Sequence, residues 1–190
     1  YAVGNALEVK EAIETLQGKG PADFVELCLT LGSRMLMAGG KADTAQEAKE
    51  RLRKVIADGS ALKKLAEFVE AQGGNADAVY NMGLLPAARI VRPIPAPVSG
   101  YINHITCDEV GICSLILGGG RETKESAIDL SVGLVLCKKS GDYVEAGEPL
   151  AMLHANDETR AEEAANRYLK ACSIADTPRE RTDFIRGILE

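Results

Sequence analysis

Apolar residues recur at helical spacing through the first 72 positions of the chain. Glycine-rich breaks at Gly18–Gly20, Gly39–Gly40 and Gly73–Gly74, with a further break at Asp58–Ser60, divide this stretch. The pattern therefore predicts four helices. The second has a broad apolar stripe, which is typical of a buried helix. Its members are Phe24, Leu27, Cys28, Leu31, Met35 and Leu36.

Two helix starts carry recognisable capping signals. Asn5 is a favoured N-cap residue, and Glu8 is placed to return a hydrogen bond to it as in a capping box. The residues Thr44-Ala45-Gln46-Glu47 form a second capping box. The segment Tyr1–Gly4, which precedes the first helix, is predicted to be a turn that exposes backbone carbonyls.

The hydrophobic period changes near Pro86, and from Ile90 to Ala155 the chain is rich in β-branched and turn residues. This pattern predicts strands, followed by a helix over Glu158–Cys172 and a last strand or helical turn within Thr182–Leu189. The fold class is therefore α/β, of the α+β kind. The predicted strands are Val98–Ile102, Ile112–Leu117, Val132–Cys137 and a continuation through Val144, Leu150, Met152 and Leu153.

Two segments of the strand-rich region, Ala96–Ile102 and Gly141–Leu150, are similar to each other in sequence. They resemble the barrel-sandwich hammerhead of biotinyl and lipoyl carrier domains, in which glycines allow sharp corners. A carrier displays a lysine at a hairpin tip, whereas Lys138 and Lys139 precede the turn here and residues 151–157 contain none. We therefore expect a hammerhead-like fold that does not carry a biotinyl or lipoyl group. A non-catalytic binding or structural module built on this shape is the alternative function.

Composition narrows the class of protein. Of 190 residues, 46% are hydrophobic and 26% are charged, which suits a folded core. The net charge of -6 argues against a nucleic-acid partner, and no apolar run approaches the ~20 residues that span a bilayer. Five cysteines without a CxxC spacing indicate reduced thiols in a cytoplasmic protein. Because the chain starts at Tyr1, we expect it to be part of a longer polypeptide.

Three sets of residues are candidates for chemistry. The loop Leu117–Arg121 suits either anion binding through exposed amides or a flexible flap. His104 and His154 are expected to be structural or surface residues, because no nucleophile motif accompanies them. Glu8 and Glu11 lie three positions apart near a helix start. With the carbonyls before them they form either a simple cap or a hard-oxygen site for an alkali or alkaline-earth cation.

Five phrases together resemble the pyrimidine-nucleoside and thymidine phosphorylase family, and the resemblance spans essentially all 190 residues. They are GNALEVKEAI at 4–13, GPADFVELCLTLGS at 20–33, LGGGR at 117–121, IDLSVG at 128–133 and SGDYVEAGEPLAMLHA at 140–155.

The resemblance implies a fold and an activity. Residues 1–85 would be the helical part of the phosphorylase α/β domain, 86–156 a barrel-sandwich C-terminal subdomain, and 157–190 a C-terminal helix and tail. Members of the family use phosphate as a co-substrate to displace the base from a pyrimidine nucleoside, which gives base and (deoxy)ribose 1-phosphate. Full-length members form homodimers.

The motifs that bind phosphate and base lie in the other half of the family pattern, and no KxSTGGxGD-like phrase occurs here. We therefore expect no catalytic and no substrate-binding residue in this chain, and no turnover by the chain alone. The resemblance also implies a potassium ion whose ligands include the backbone carbonyl of Ala2 and the carboxylate of Glu11. Its other ligands would come from the missing half.

Overall fold

The structure, a computed structural model, describes residues 1–121, 123–179 and 185–187. It is a mixed α/β fold with two antiparallel sheets and several helices, which confirms the predicted fold class. Within these ranges, no helix combines the length and the apolar character that crossing a bilayer requires.

The chain forms two compact units. One, the sheet unit, contains Tyr1–Val9 and the described residues between 85 and 179. The other, the helical unit, contains Lys10–Leu84 together with residues 185–187. The three predicted domain segments follow the family pattern rather than compactness, and they stay a prediction.

The helical unit confirms the four predicted helices and their glycine breaks. Thr44 caps the third helix, since its hydroxyl accepts a hydrogen bond from the amide of Glu47 at 3.2 Å. Gly59, with φ of 77°, supplies the left-handed turn between the third and fourth helices. The elements are α1 (Asn5–Leu16), whose first five residues belong to the sheet unit, α2 (Ala22–Ala38), α3 (Ala45–Ala57), α4 (Ser60–Ala71), a short α5 (Asp77–Tyr80) and a 3₁₀ turn (Met82–Leu84).

The prediction that α2 is buried is wrong for one of its faces. Leu29 and Ser33 are buried, on the side where Gly32 approaches a Leu52 methyl group of α3. Leu31 and Met35, which belong to the predicted apolar stripe, are instead 56% and 74% exposed. The reason is that α3 covers only one side of α2.

The sheet unit contains a four-stranded and a three-stranded antiparallel sheet. Pro93 and Pro95 both lie in an edge strand, where a missing amide donor is tolerated. In spatial order, the first sheet is β1 (Ala2–Val3), β4 (Gly133–Leu136), β6 (Pro149–Ala155) and β2 (Ile90–Pro95), and the second is β5 (Tyr143–Val144), β3 (Gly100–Ile105) and β7 (Cys172–Ala175).

Two helices, α6 (Cys107–Leu117) and α7 (Glu158–Ala171), complete this unit. They share one hydrophobic core with the strands. Its largest fully buried side chains are Tyr168, Ile94, Ile102, Leu134, Leu150, Leu153, Val132, Val144 and Cys113.

The predicted strand at Ile112–Leu117 is wrong, because these residues belong to α6. An apolar run without alternation does not distinguish a buried strand from a buried helix. The helical spacing appears only in the burial, since Val110, Cys113, Ser114 and Leu117 are buried.

The remaining differences are at the ends of elements. The segment predicted as a turn at Tyr1–Gly4 contains β1, and β7 follows α7 directly without having been predicted. Most of the predicted element within Thr182–Leu189 lies outside the described residues. The hammerhead description of the sheets stays a prediction.

Candidate functional site

The glycines of two of the phrases meet where β1 passes β4. Gly4 has φ of 143° and Gly133 has φ of 148°, both values that favour glycine. A Cβ on Gly4 would lie 2.5 Å from the Val132 carbonyl oxygen. A Cβ on Gly133 would lie 3.0 Å from Gly4 Cα and closer still to the Val3 carbonyl oxygen. The close approach of these two backbones therefore requires glycine on both sides.

This contact sets the start of α1, and its capping differs from the predicted box. Helix α1 already includes Asn5, and the Glu8 carboxylate accepts a hydrogen bond from the amide of Gly4 at 3.0 Å. The Asn5 side chain does not cap the helix. Its Nδ2 donates to the Gly119 carbonyl oxygen at 3.0 Å, and the Ala6 amide donates to the Leu130 carbonyl oxygen at 3.0 Å. The predicted reciprocal bond between Asn5 and Glu8 is thus shifted by one residue.

The first turn of α1 therefore holds both ends of the glycine loop, of which the structure describes residues 118–121 and 123–130. Gly118, in the left-handed conformation with φ of 100°, ends α6, and the Gly119 amide donates to the Ser114 carbonyl at 2.8 Å. At the other end, the Asp129 amide donates to the Gly118 carbonyl at 2.8 Å. The segment leaves and returns at one place, as an Ω-loop does.

Asp129 is the centre of a polar cluster at the base of this loop. Its carboxylate accepts hydrogen bonds from the Ser131 amide at 2.9 Å, the Ser131 hydroxyl at 2.6 Å and Asn156 Nδ2 at 2.7 Å. Burial alone raises the pKa of Asp129, but the bonds from Ser131 and Asn156 and the charge of Arg89 outweigh it, so the pKa lies below its ordinary value.

Asn156 extends the cluster to a third segment. It directly follows β6, and its Oδ1 accepts a hydrogen bond from the Arg89 amide at 2.8 Å. The Arg89 guanidinium donates to the Asn156 carbonyl at 2.9 Å. The cluster therefore links three parts of the chain by hydrogen bonds: the residue before β2, the residue after β6 and the segment that precedes β4. With every carboxylate partner a donor, it is suited to positioning the loop rather than to transferring protons.

The two predicted potassium ligands lie in different units. Ala2 is opposite Val135 in the β1–β4 ladder, and the Tyr1 carbonyl accepts from the Leu136 amide at 2.9 Å. This spacing makes Ala2–Val135 a non-hydrogen-bonded pair, so the Ala2 carbonyl is directed away from β4. Glu11 is half-buried in α1. A backbone carbonyl and a carboxylate are both oxygen donors, as a hard cation requires.

Side-chain clusters give no other metal candidate. Among residues 1–121, 123–179 and 185–187, no group of three or more His, Cys, Asp and Glu side chains could hold a metal ion. His104 lies on β3 and His154 on β6, in different sheets. The five cysteines are free thiols. Burial raises the pKa of Cys113 to about 11, which makes this thiol unreactive at neutral pH.

The lysines near the Gly-Asp turn are engaged in local contacts. Lys138 Nζ donates to the Tyr143 carbonyl at 3.0 Å and pairs with the Glu148 carboxylate at 3.1 Å. Lys139 Nζ lies 4.0 Å from the ring centre of Tyr1, in cation–π contact. These contacts hold the two side chains against the protein, in contrast to a displayed carrier lysine.

The sequence analysis did not predict the cluster around Asp129, because its first and last members, Arg89 and Asn156, are 67 positions apart in the chain. Arg89, Asp129, Ser131 and Asn156 form no motif in the linear chain, and each is an ordinary surface residue by type. The one local signal is the position of Asn156, directly before the N-cap residue of α7. That N-cap residue is Asp157, whose side chain accepts a hydrogen bond from the Arg160 amide at 2.9 Å.

A family profile described as the pyrimidine nucleoside phosphorylase C-terminal domain matches residues 101–175. The pyrimidine-nucleoside phosphorylase of Bacillus subtilis (strain 168) is 49% identical over 168 residues, which cover 88% of this chain and 39% of that protein. The enzyme of the same name from Geobacillus stearothermophilus is 47% identical over 178 residues, 94% of this chain and 41% of that protein. The enzyme of the same name from Staphylococcus haemolyticus (strain JCSC1435) is 50% identical over 157 residues, which cover 83% of this chain and 36% of that protein.

This chain spans about two fifths of the length of the curated relatives it matches. The profile that it matches is itself named for a C-terminal domain, and the resemblance noted in the sequence is confirmed. The chain therefore belongs to the pyrimidine-nucleoside phosphorylase family, of which it represents the C-terminal portion.

Proposed function

We propose that the polypeptide of which this chain is the C-terminal portion splits pyrimidine nucleosides with phosphate. The products are the free base and (deoxy)ribose 1-phosphate, so the enzyme is a pentosyltransferase. The observation that carries the proposal is the identity of 47–50% with proteins named for this activity, over 83–94% of the chain.

The described residues fit a supporting role in this reaction. The polar cluster around Asp129 and the first turn of α1 fix both ends of the glycine loop. In the proposed reaction the base leaves as positive charge develops on the sugar, so correct placement of groups contributes much of the rate. A loop with anchored ends gives such placement at low entropic cost.

The test of the proposal is a phosphorolysis assay of the full-length polypeptide. Uridine or thymidine is supplied with inorganic phosphate, and the release of free base is followed by absorbance or chromatography. We expect base and pentose 1-phosphate in equal amounts, and no base without phosphate. Base release that does not depend on phosphate would indicate hydrolysis and would refute the proposal.

The 190-residue chain alone is expected to give no turnover. No KxSTGGxGD-like phrase, which the family resemblance implies for phosphate binding, occurs in its sequence. The same assay, at a chain concentration a hundred times that of the full-length enzyme, checks this expectation. Phosphate-dependent base release by the chain alone would show that part of the catalytic machinery lies within these residues.

We also propose that the Ala2 carbonyl and the Glu11 carboxylate provide two ligands to a potassium ion in the full-length enzyme. The support is their oxygen chemistry and the direction of the Ala2 carbonyl away from β4. Potassium would supply positive charge near a bound anion. We expect potassium, relative to sodium, to raise the melting temperature of the full-length enzyme but not of its Glu11→Gln variant. A potassium-dependent rise in the melting temperature of the chain alone would contradict the need for ligands from the missing part.

The remaining features of the proposal concern partners and compartment. By the family resemblance, the full-length enzyme is a homodimer of the cytoplasm that takes a pyrimidine nucleoside and phosphate through its N-terminal half, with no nucleic-acid or membrane partner. Light scattering of the full-length enzyme tests the dimer, and a monomeric mass at micromolar concentration would contradict it.

A further inference from the structure

Helix α2 has two separate apolar faces. The first, which includes Leu29, packs toward α3. The second, here called the outer stripe, consists of Phe24, Cys28, Leu31 and Met35. These four positions follow the spacing i, i+4, i+7, i+11, which at 3.6 residues per turn places them on one side of the helix over a length of about 16 Å.

The outer stripe is largely open to solvent in this chain. Met35 is 74% exposed, Leu31 is 56% exposed and Cys28 is exposed, while Phe24 is half-buried. An isolated exposed leucine is ordinary, but a continuous row of apolar side chains along a helix usually marks a surface that another element covers. A helix with apolar residues on both sides is typical of a buried position between two layers.

The core of the helical unit is also small. Among its described residues, the large buried apolar side chains are Ile13, Leu29 and Val79, and the other buried apolar residues are alanines. The sheet unit, in contrast, encloses a continuous core that includes Tyr168 and four buried leucines. Phe68, on α4, adds another large exposed side chain at 61% exposure. Among the described residues, the helical unit thus buries few large apolar side chains and leaves Leu31, Met35 and Phe68 exposed.

We propose that the outer stripe is the surface on which the N-terminal remainder of the same polypeptide packs. The curated relatives are more than twice as long as the matched region, since this chain covers only 36–41% of them. In a polypeptide of the relatives' length, that remainder would be covalently linked and so present at a high effective concentration. The proposal rests on family membership and is independent of the proposed catalytic activity.

Cys28 reports directly on whether the stripe is covered. The full-length polypeptide is treated with a maleimide at neutral pH, and the modified sites are located by mass spectrometry. We expect Cys28 to react at least tenfold more slowly in the full-length protein than in the 190-residue chain, after each rate is divided by that of the same protein unfolded in urea. Equal protection in the two proteins would overturn the proposal. Protection in the short chain that increases with its concentration would overturn it too, because a second copy would then be the occupant.

A pair of variants tests the stripe independently of thiol chemistry. Leu31→Glu places a charge in the stripe, whereas Leu31→Met keeps it apolar. We expect Leu31→Glu to lower the melting temperature of the full-length protein by about 5 °C or more, with Leu31→Met within about 2 °C of the parent. In the short chain both variants are expected to melt close to the parent, because position 31 is already exposed there. A full-length Leu31→Glu protein that melts like Leu31→Met would refute the proposal, whether or not either protein has phosphorylase activity.

Discussion

The contact between Gly4 and Gly133 makes a sharp prediction about stability. Replacing Gly133 by alanine adds one methyl group to a residue with φ of 148°, at a place where the Val3 carbonyl oxygen and Gly4 Cα already occupy the space. Both obstacles are backbone atoms, so no side-chain rotation relieves the overlap. Either β1 must move away from β4 or the backbone at position 133 must change its conformation.

The magnitude follows from two separate costs. Holding a non-glycine residue in this region of φ costs about 1–3 kcal/mol. Forcing an additional methyl group into a packed region costs about 1–3 kcal/mol more. We therefore expect Gly133→Ala to lower the free energy of unfolding of the sheet unit by about 2–6 kcal/mol, which is a large part of the stability of an ordinary domain.

Urea unfolding, followed by far-UV circular dichroism and by tyrosine fluorescence, measures this loss. Gly111→Ala is the matched control: Gly111 lies in α6 of the same unit, and a Cβ there meets no atom within 4 Å. That control is expected to be stabilising by about 0.5–1 kcal/mol, because alanine favours a helix interior over glycine. A Gly133→Ala protein within about 0.5 kcal/mol of the parent would refute the reasoning, since surface substitutions commonly give changes of that size.

Three further predictions test other contacts. The pKa of Asp129 is lowered in the folded state, so the ionised carboxylate stabilises the fold above the ordinary aspartate pKa of about 4, and this stabilisation is lost as the pH falls through the lower folded pKa. The Asp129→Asn variant should therefore show a smaller decline in the free energy of unfolding below about pH 4. Parallel curves of unfolding free energy against pH for the two proteins would contradict this. Within the described residues the buried Tyr168 hydroxyl makes no well-formed hydrogen bond, and its polar neighbour is the Cys172 thiol, which is a weak partner. Tyr168→Phe should therefore leave stability unchanged or raise it by up to about 1 kcal/mol in urea unfolding, and a loss above about 2 kcal/mol would show that the contact with Cys172 stabilises the fold. Thr44→Ala should lower the stability of the helical unit by about 1 kcal/mol through loss of the cap on Glu47, measured by thermal unfolding, with an unchanged transition as the contrary result.

Local signals in the sequence were sufficient for most of the helical unit. Glycine breaks ended the helices where they were predicted to end, and the box at Thr44–Glu47 capped α3. These signals succeed because capping and glycine conformations depend on residues within four positions of each other. The start of α1 shows the limit of the approach. There the Asn5 side chain donates to Gly119, 114 positions away, and Glu8 caps Gly4 instead.

The burial of apolar runs depended on the tertiary structure. The run at Ile112–Leu117 has no alternation, and its packing in the sheet unit decided that it is helical. The apolar stripe of α2 was correctly read from the sequence as a stripe, but its exposure depends on which neighbours are present. Periodicity records that a face is apolar and does not record what covers it.

The sequence by itself therefore determined the fold class, the four N-terminal helices and membership of the phosphorylase family. Each of these depends on short-range pattern or on phrases that are specific as strings of residues. The tertiary structure alone decided that Gly4 meets Gly133 and that Asp129, Ser131, Asn156 and Arg89 form one cluster. These contacts join segments far apart in the chain, and only the packing of strands and helices brings their backbones within reach of each other.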